Sequence, residues 1–100
     1  MALLWVAMIK SFHDKETESI FGRHYSKRLP VELHQHAWRK LAILNAAGQL
    51  NDLRTPPGNR LEKLSGNRAG QYSIRINDQW RICFKWREGN AYEVEITDYH

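Results

Sequence analysis

Apolar and polar residues alternate most regularly between Gly66 and Trp86, in GNRAGQYSIRINDQWRICFKW. Tyr72, Ile74 and Ile76 share one parity and Ser73, Arg75 and Asn77 the other, while Trp80, Ile82, Phe84 and Trp86 alternate with Arg81, Cys83 and Lys85. This pattern predicts two half-buried strands, each with an apolar face and a face carrying arginine. A three-residue loop, Asn77-Asp78-Gln79, pairs Ile76 with Trp80, Ile74 with Ile82 and Arg75 with Arg81; a one-residue slip would set Arg75 against Trp80. The register opposes two like charges, which is unfavourable by about a few tenths of a kcal/mol or more. Something on that face is expected to compensate, and an anionic partner is the simplest candidate.

The segment after Trp86, REGNAYEVEITDYH, predicts a second hairpin. A loop of Glu88-Gly89-Asn90 pairs Trp86 with Tyr92, Phe84 with Val94, Ile82 with Ile96 and Arg81 with Thr97, and sets Lys85 opposite Glu93. Strict parity sends Asp98 and His100 to the apolar face. The strand is therefore expected to bend or end near Thr97 if Asp98, Tyr99 and His100 are to meet Arg81.

Ahead of these strands the period becomes helical. Asp14 or Ser11 is placed to cap a helix over about Lys15 to His24, with Glu16 and Glu18 in its first turn and Ile20 and Phe21 on its core face. Pro30 suits the first turn of a longer helix, Val31 to Ala47, closed by Gly48. Leu33, Ala37, Leu41 and Leu44 form its core stripe, flanked by Trp38 and Ala42. Ile9 to Phe12 predicts a short strand. The segment DLRTPPGNR from Asp52 is a loop anchored by Leu61 and Leu64, and Gly66 and Gly70 bracket a turn at Asn67-Arg68. Residues 1–7, MALLWVA, are too short to span a bilayer and form a poor signal peptide; Met8 opens MIKSF like a natural start. The first seven residues are then an upstream start or an appended remnant, unless Leu3 to Val6 extend the first strand, and 8–100 form one domain.

Composition narrows the class. One hundred residues, 42% hydrophobic and 26% charged, make one core. Four Trp, four Tyr and three Phe fill it without disulfides. The one cysteine, Cys83, has no disulfide or zinc partner and reads as a strand residue, not a nucleophile, in a reducing, cytoplasmic setting. His34 and His36, two apart, point to different sides of their helix and cannot clamp a metal. No cofactor, metal or membrane is expected. The formal charge of +4 favours a polyanionic partner. Its basic balance sits in the strand region, where Arg60, Lys63, Arg68, Arg75, Arg81, Lys85 and Arg87 face only Glu62 and Asp78. Arg60, Lys63, Arg68, Arg75 and Lys85 are the candidate contacts to nucleic acid or phosphate.

Arg81, Asp98, Tyr99 and His100 suit phosphodiester chemistry without a metal. Arginine neutralises charge developing on phosphate, histidine moves a proton, tyrosine stacks on a base or shifts a proton, and RNA supplies its own 2′-hydroxyl nucleophile. The terminal carboxylate beside His100 favours its imidazolium form. Each residue also fits a plain role: His100 as a surface terminus, Arg75 and Arg81 as polar-face residues, Tyr99 as a cover for a sheet edge.

The chain resembles the HigB-type killer toxins of bacterial toxin–antitoxin systems, within the RelE/ParE superfamily. The resemblance rests on MIKSF, on LRTPPGNRLEKLSGNRAGQYSIRINDQWRICF and on the final DYH, and covers nearly the whole chain from Met8. It implies an α+β fold, with two N-terminal helices on a curved, mainly antiparallel sheet. It also implies ribosome-dependent endoribonuclease activity on mRNA and a HigA-type helix-turn-helix antitoxin. The family's active-site positions map onto Arg81, Asp98, Tyr99 and His100. Some HigB toxins carry a histidine and a lysine where this chain has Glu62 and Ser65, which implies weaker or differently directed cleavage and raises the weight on Arg68 and Arg75. Two alternatives stay open: a non-catalytic inhibitor that binds gyrase, as the ParE branch does, and a weak nuclease that interferes with ribosome function or assembly.

Overall fold

The computed structural model describes residues 8–98; the apolar start at 1–7 and the final Tyr99 and His100 lie outside the described residues. Helix α1 (Lys15–Phe21) starts where the sequence places it. Asp14 holds an extended conformation, and its Oδ1 accepts from the Thr17 amide at 2.7 Å. The helix ends at Phe21, three residues short of His24, because Arg23 turns into the left-handed region at φ 63°.

Pro30 keeps an extended ψ of 136° and leads into a 3-10 turn, Val31–Leu33, ahead of helix α2 (His34–Ala46). The predicted single helix is thus a turn plus a helix, ended by the extended Ala47 ahead of Gly48. Its stripe is the core: Leu33, Ala37, Leu41 and Leu44 are all buried.

Four strands follow, β1 (Glu62–Lys63), β2 (Gln71–Arg75), β3 (Trp80–Arg87) and β4 (Asn90–Asp98), antiparallel and in that order. The first hairpin has the expected register, with Ile74 opposite Ile82 and Arg75 opposite Arg81. Its loop is locked by Asn77, whose Oδ1 accepts from the amides of Gln79 and Trp80 at 2.9 and 2.8 Å. Ile74, Ile82, Phe84, Val94 and Ile96 face the two helices, giving the α+β architecture the sequence implied. Thr17 joins the layers: its buried hydroxyl accepts from the Ile96 amide at 3.0 Å.

Two local expectations are corrected. The second hairpin turns on two residues, Glu88 and Gly89, at φ 51° and 80°, so Arg87 pairs with Asn90, Trp86 with Ala91 and Lys85 with Tyr92. Two central residues with positive φ match the twist of the flanking strands better than a three-residue loop. A bulge at Glu93, φ 52°, absorbs the offset and restores the expected pairs Ile82 with Ile96 and Arg81 with Thr97. Lys85 still reaches Glu93, at 3.3 Å. The Ile9–Phe12 segment is no regular strand; it makes isolated parallel bridges from Ile9 to Ala91 and from Phe12 to Val94, and the amides of Met8 and Ile9 both donate to Asn45 Oδ1. Glu62 and Lys63, between the loop anchors Leu61 and Leu64, form the edge strand β1.

Candidate active site

Alternation along β3 turns Arg81 away from the helical layer, onto the face that Ser73 shares across the pair Ser73–Cys83. The segment from Pro57 to Leu61, which leads into β1, closes the edge of this face. Asn59 anchors that loop: fully buried, it donates through Nδ2 to the carbonyls of Leu53 and Thr55, and its Oδ1 accepts from Lys40 Nζ of α2 at 2.6 Å. Burial, and the positive charge of Arg75, lower the Lys40 pKa below its ordinary value. Arg60 follows in the left-handed region at φ 45°, which turns its carbonyl inward.

The result is a caged guanidinium. Arg81 is 8% exposed; its Nε donates to Ser73 Oγ at 2.7 Å, and its Nη2 donates to the Arg60 carbonyl at 2.7 Å. The Glu62 carboxylate lies 3.6 Å from Nη2 and is itself 55% exposed. An arginine fork spent on a hydroxyl and a carbonyl keeps its charge in a fixed place. The opposition of Arg75 and Arg81 is met within the chain: Arg75 pairs with Asp78, and Arg81 has the acceptors just named.

Asp98 is placed differently from expectation. β4 runs through Asp98 with no break at Thr97, and Asp98 pairs with Trp80, so the pleat assigns it to the parity next to that of Arg81. Its Oδ2 accepts from Gln79 Nε2 at 3.0 Å. Tyr99 and His100 follow immediately, outside the described residues. Buried Cys83 lies on the Arg81 face, and burial raises its thiol pKa.

Two clefts flank Arg68. One, of about 260 Å³, is lined by Glu62, Lys63, Ser65, Asn67 and Arg68; the other, of about 410 Å³, by His13, Asn67, Arg68, Gln71 and Glu95. Of the candidate RNA contacts, Arg60 and Lys63 are exposed, whereas Arg68 pairs with Glu95 at 3.2 Å, Arg75 with Asp78 and Lys85 with Glu93. These pairs are partly or largely solvated, each worth about 1 kcal/mol or less, so exchange for phosphate is cheap. A third cleft joins Lys63 and Tyr72 to Arg54, a cation outside the 60–87 window that the charge count used. His13, Asp14 and Glu95 bring ligand atoms within 4.8 Å of one another. Asp14 is already the α1 cap and Glu95 the partner of Arg68, whose charge opposes a cation there.

Comparison with known proteins decides the lineage. A family model described as the RelE-like toxin of type II toxin-antitoxin system HigB matches residues 10–100. The chain belongs to the HigB-like toxin family. Toxin HigB-1 of Vibrio cholerae is 45% identical over 85 residues, 84% of this chain and 90% of its own length. The endoribonuclease HigB of Proteus vulgaris is 30% identical over 93 residues, covering 93% of this chain and all of its own. In fold, the chain is similar to the YoeB-YefM complex from Staphylococcus aureus, with a TM-score of 0.57 at 18% identity over 94% of this chain and 99% of that one. This HigB-like chain is therefore the toxin of a type II toxin–antitoxin system, and the family includes an endoribonuclease.

Sequence reasoning missed two neighbours of Arg81 in this HigB-like toxin. Glu62 was weighed only as a departure from the family, yet its carboxylate stands beside the guanidinium. Ser73 lies on the Arg81 parity across the same strand pair, a placement the first hairpin's register already implied.

Proposed function

We propose that this HigB-like toxin is a metal-independent endoribonuclease that cuts mRNA on the ribosome and is neutralised by a HigA-type helix-turn-helix antitoxin in the cytoplasm. The observation that carries the reading is the caged Arg81 guanidinium beside the exposed Glu62 carboxylate, at the edge of a cleft lined by Lys63, Ser65 and Arg68.

In this reading Arg81 holds a non-bridging phosphate oxygen and stabilises the charge that grows there. Glu62 takes the proton from the 2′-hydroxyl, so the new bond is from O2′ to phosphorus. The bond from phosphorus to the 5′-oxygen of the next nucleotide breaks, and His100 gives that oxygen its proton. The products are a 2′,3′-cyclic phosphate and a 5′-hydroxyl. Tyr99 stacks on a base beside the scissile bond, and Asp98 orients the chain end. Arg60, Lys63, Arg68, Arg75 and Lys85 hold message or ribosomal RNA, the paired ones by trading a carboxylate for a phosphate.

The test is primer extension on a defined message in a purified translation system, with and without ribosomes. Ribosome-dependent cuts should disappear with Arg81→Ala and with His100 removed. Because Glu62 is solvent-exposed, Glu62→Gln should keep the fold while slowing cleavage about 100-fold or more. Intact message from a wild-type chain that arrests growth would defeat the nuclease reading. That outcome would favour the second reading, a non-catalytic inhibitor of gyrase or of ribosome assembly, for which the burial of Arg81 speaks: so enclosed a guanidinium also serves the fold.

A further inference from the structure

The helical layer carries a further cavity, of about 370 Å³, between the end of α1 and the start of α2. Its volume lies in the range of roughly 300–1,000 Å³ usual for small-ligand sites. The sheet separates it from Arg81, which faces the other way. Its walls are Arg23, His24, Tyr25, His34, Gln35 and Trp38, an unusual concentration of planar rings, cations and one amide.

The rings are arranged as two walls. On one, the Arg23 guanidinium lies 3.8 Å above the Trp38 ring, held there by a backbone in the left-handed region that only glycine adopts without strain. On the other, Tyr25, 67% exposed, meets His34 edge-on at 5.3 Å between centroids. Buried Ser26 and Leu29 pin the loop, and His34 Nε2 lies 3.1 Å from the Leu29 carbonyl, which orients its ring. The surrounding stretch, 22–39, supplies Arg23, Lys27, Arg28 and Arg39 against Glu32, with Arg28 paired to Glu16 of α1 at 3.5 Å.

We infer that this cavity is a second RNA site, which takes one unpaired base of a single strand between the Tyr25–His34 wall and the Arg23–Trp38 wall, with the flanking phosphates on Arg23 and Lys27. Stackable faces combined with a cationic rim are what single-stranded nucleic acid selects. Gln35 offers both a donor and an acceptor to the base edge. An acidic protein segment would use the charges and leave the rings unused. The inference rests on the reading of the chain as an RNA-acting toxin, and it adds a contact on the side remote from the cleavage chemistry, so that RNA engages both layers of the molecule.

A mixed-sequence 2′-O-methyl hexanucleotide tests it, since that strand lacks the nucleophile and cannot be cut. Binding can thus be scored in a chain that cuts no message and can fail in one that cuts normally. The expected result is amide shifts at residues 23–25 and 34–38, with affinity about tenfold weaker in Tyr25→Ala and in Arg23→Gly. Arg23→Gly removes the guanidinium while relieving the left-handed strain, so its melting temperature should hold or rise as binding falls. Three results would overturn the inference: shifts confined to residues around Arg81, wild-type affinity in both variants, or a poly-glutamate peptide that moves the 23–38 amides when the oligonucleotide does not.

Discussion

Arg81 and Cys83 sit two positions apart on one strand face and show opposite uses of burial. Arg81 is held in one place because its donors are met by Ser73 and by the Arg60 carbonyl. A lysine keeps the charge but cannot fork between these acceptors. Arg81→Lys should therefore lose cleavage and also about 1–3 kcal/mol of stability, read by denaturant unfolding. Cys83 has its thiol pKa raised by burial above the ordinary 9.0. The folded thiol keeps its proton where the unfolded one loses it, so Cys83 costs nothing below pH 9 and erodes stability as pH rises through 9.0 toward the folded value. Melting temperatures taken from pH 7 to pH 10 should fall less steeply in Cys83→Ala than in the wild type. A thiol reagent at pH 8 should label Cys83 only after unfolding. The sequence pointed at Arg81 because an arginine on a strand parity is easy to see. It hid Glu62, whose place beside Arg81 depends on the loop that leads into the edge strand, a contact with no periodic signal.

Among the elements, hairpin β2–β3 was legible because only a three-residue loop keeps Arg75 and Arg81 away from the tryptophan and isoleucine face. Hairpin β3–β4 was not, because Glu88 and Glu93 take positive φ against their own preference. Glu88→Asn should accordingly stabilise the chain by about 0.5–1 kcal/mol with cleavage unchanged, measured by thermal unfolding. The helices were legible in type and in core face, but the split at Leu33 was not, since 3-10 and α turns share nearly the same apolar spacing. Thr17, buried at the joint of α1 and β4, is the residue whose polarity the helical period could not explain; it exists for the Ile96 amide. Thr17→Val keeps the shape and removes the acceptor, and should cost about 1–3 kcal/mol.

For the whole molecule, the charge of +4 conceals a division of labour. On the sheet side Arg68, Arg75 and Lys85 are engaged with carboxylates of the same chain, so in the proposed RNA contact phosphate replaces a carboxylate. Binding to ribosomes should weaken steeply with salt, and Lys63→Ala should lower the slope of log affinity against log salt by about 1. That slope is measurable by pelleting with 30S subunits across a salt series. Among the described residues no helix is long and apolar enough to cross a membrane. The core that carries both faces is shared, and Leu41→Ala, at a fully buried position, should cost about 2–5 kcal/mol and impair everything at once.

The acceptor that seats Arg81 Nη2 belongs to the main chain of residue 60, and this has an evolutionary consequence. A backbone carbonyl survives every substitution at its own position. Descendants of this sequence are thus free to exchange the Arg60 side chain, with glycine or asparagine fitting its φ of 45° at least as well, and still present the same oxygen to the guanidinium. Selection on the seat falls instead on Asn59, one residue earlier, whose amide fixes the loop from below. Drift at residue 60 can then change the charge and shape of the surface beside Arg81, while the guanidinium stays where it is.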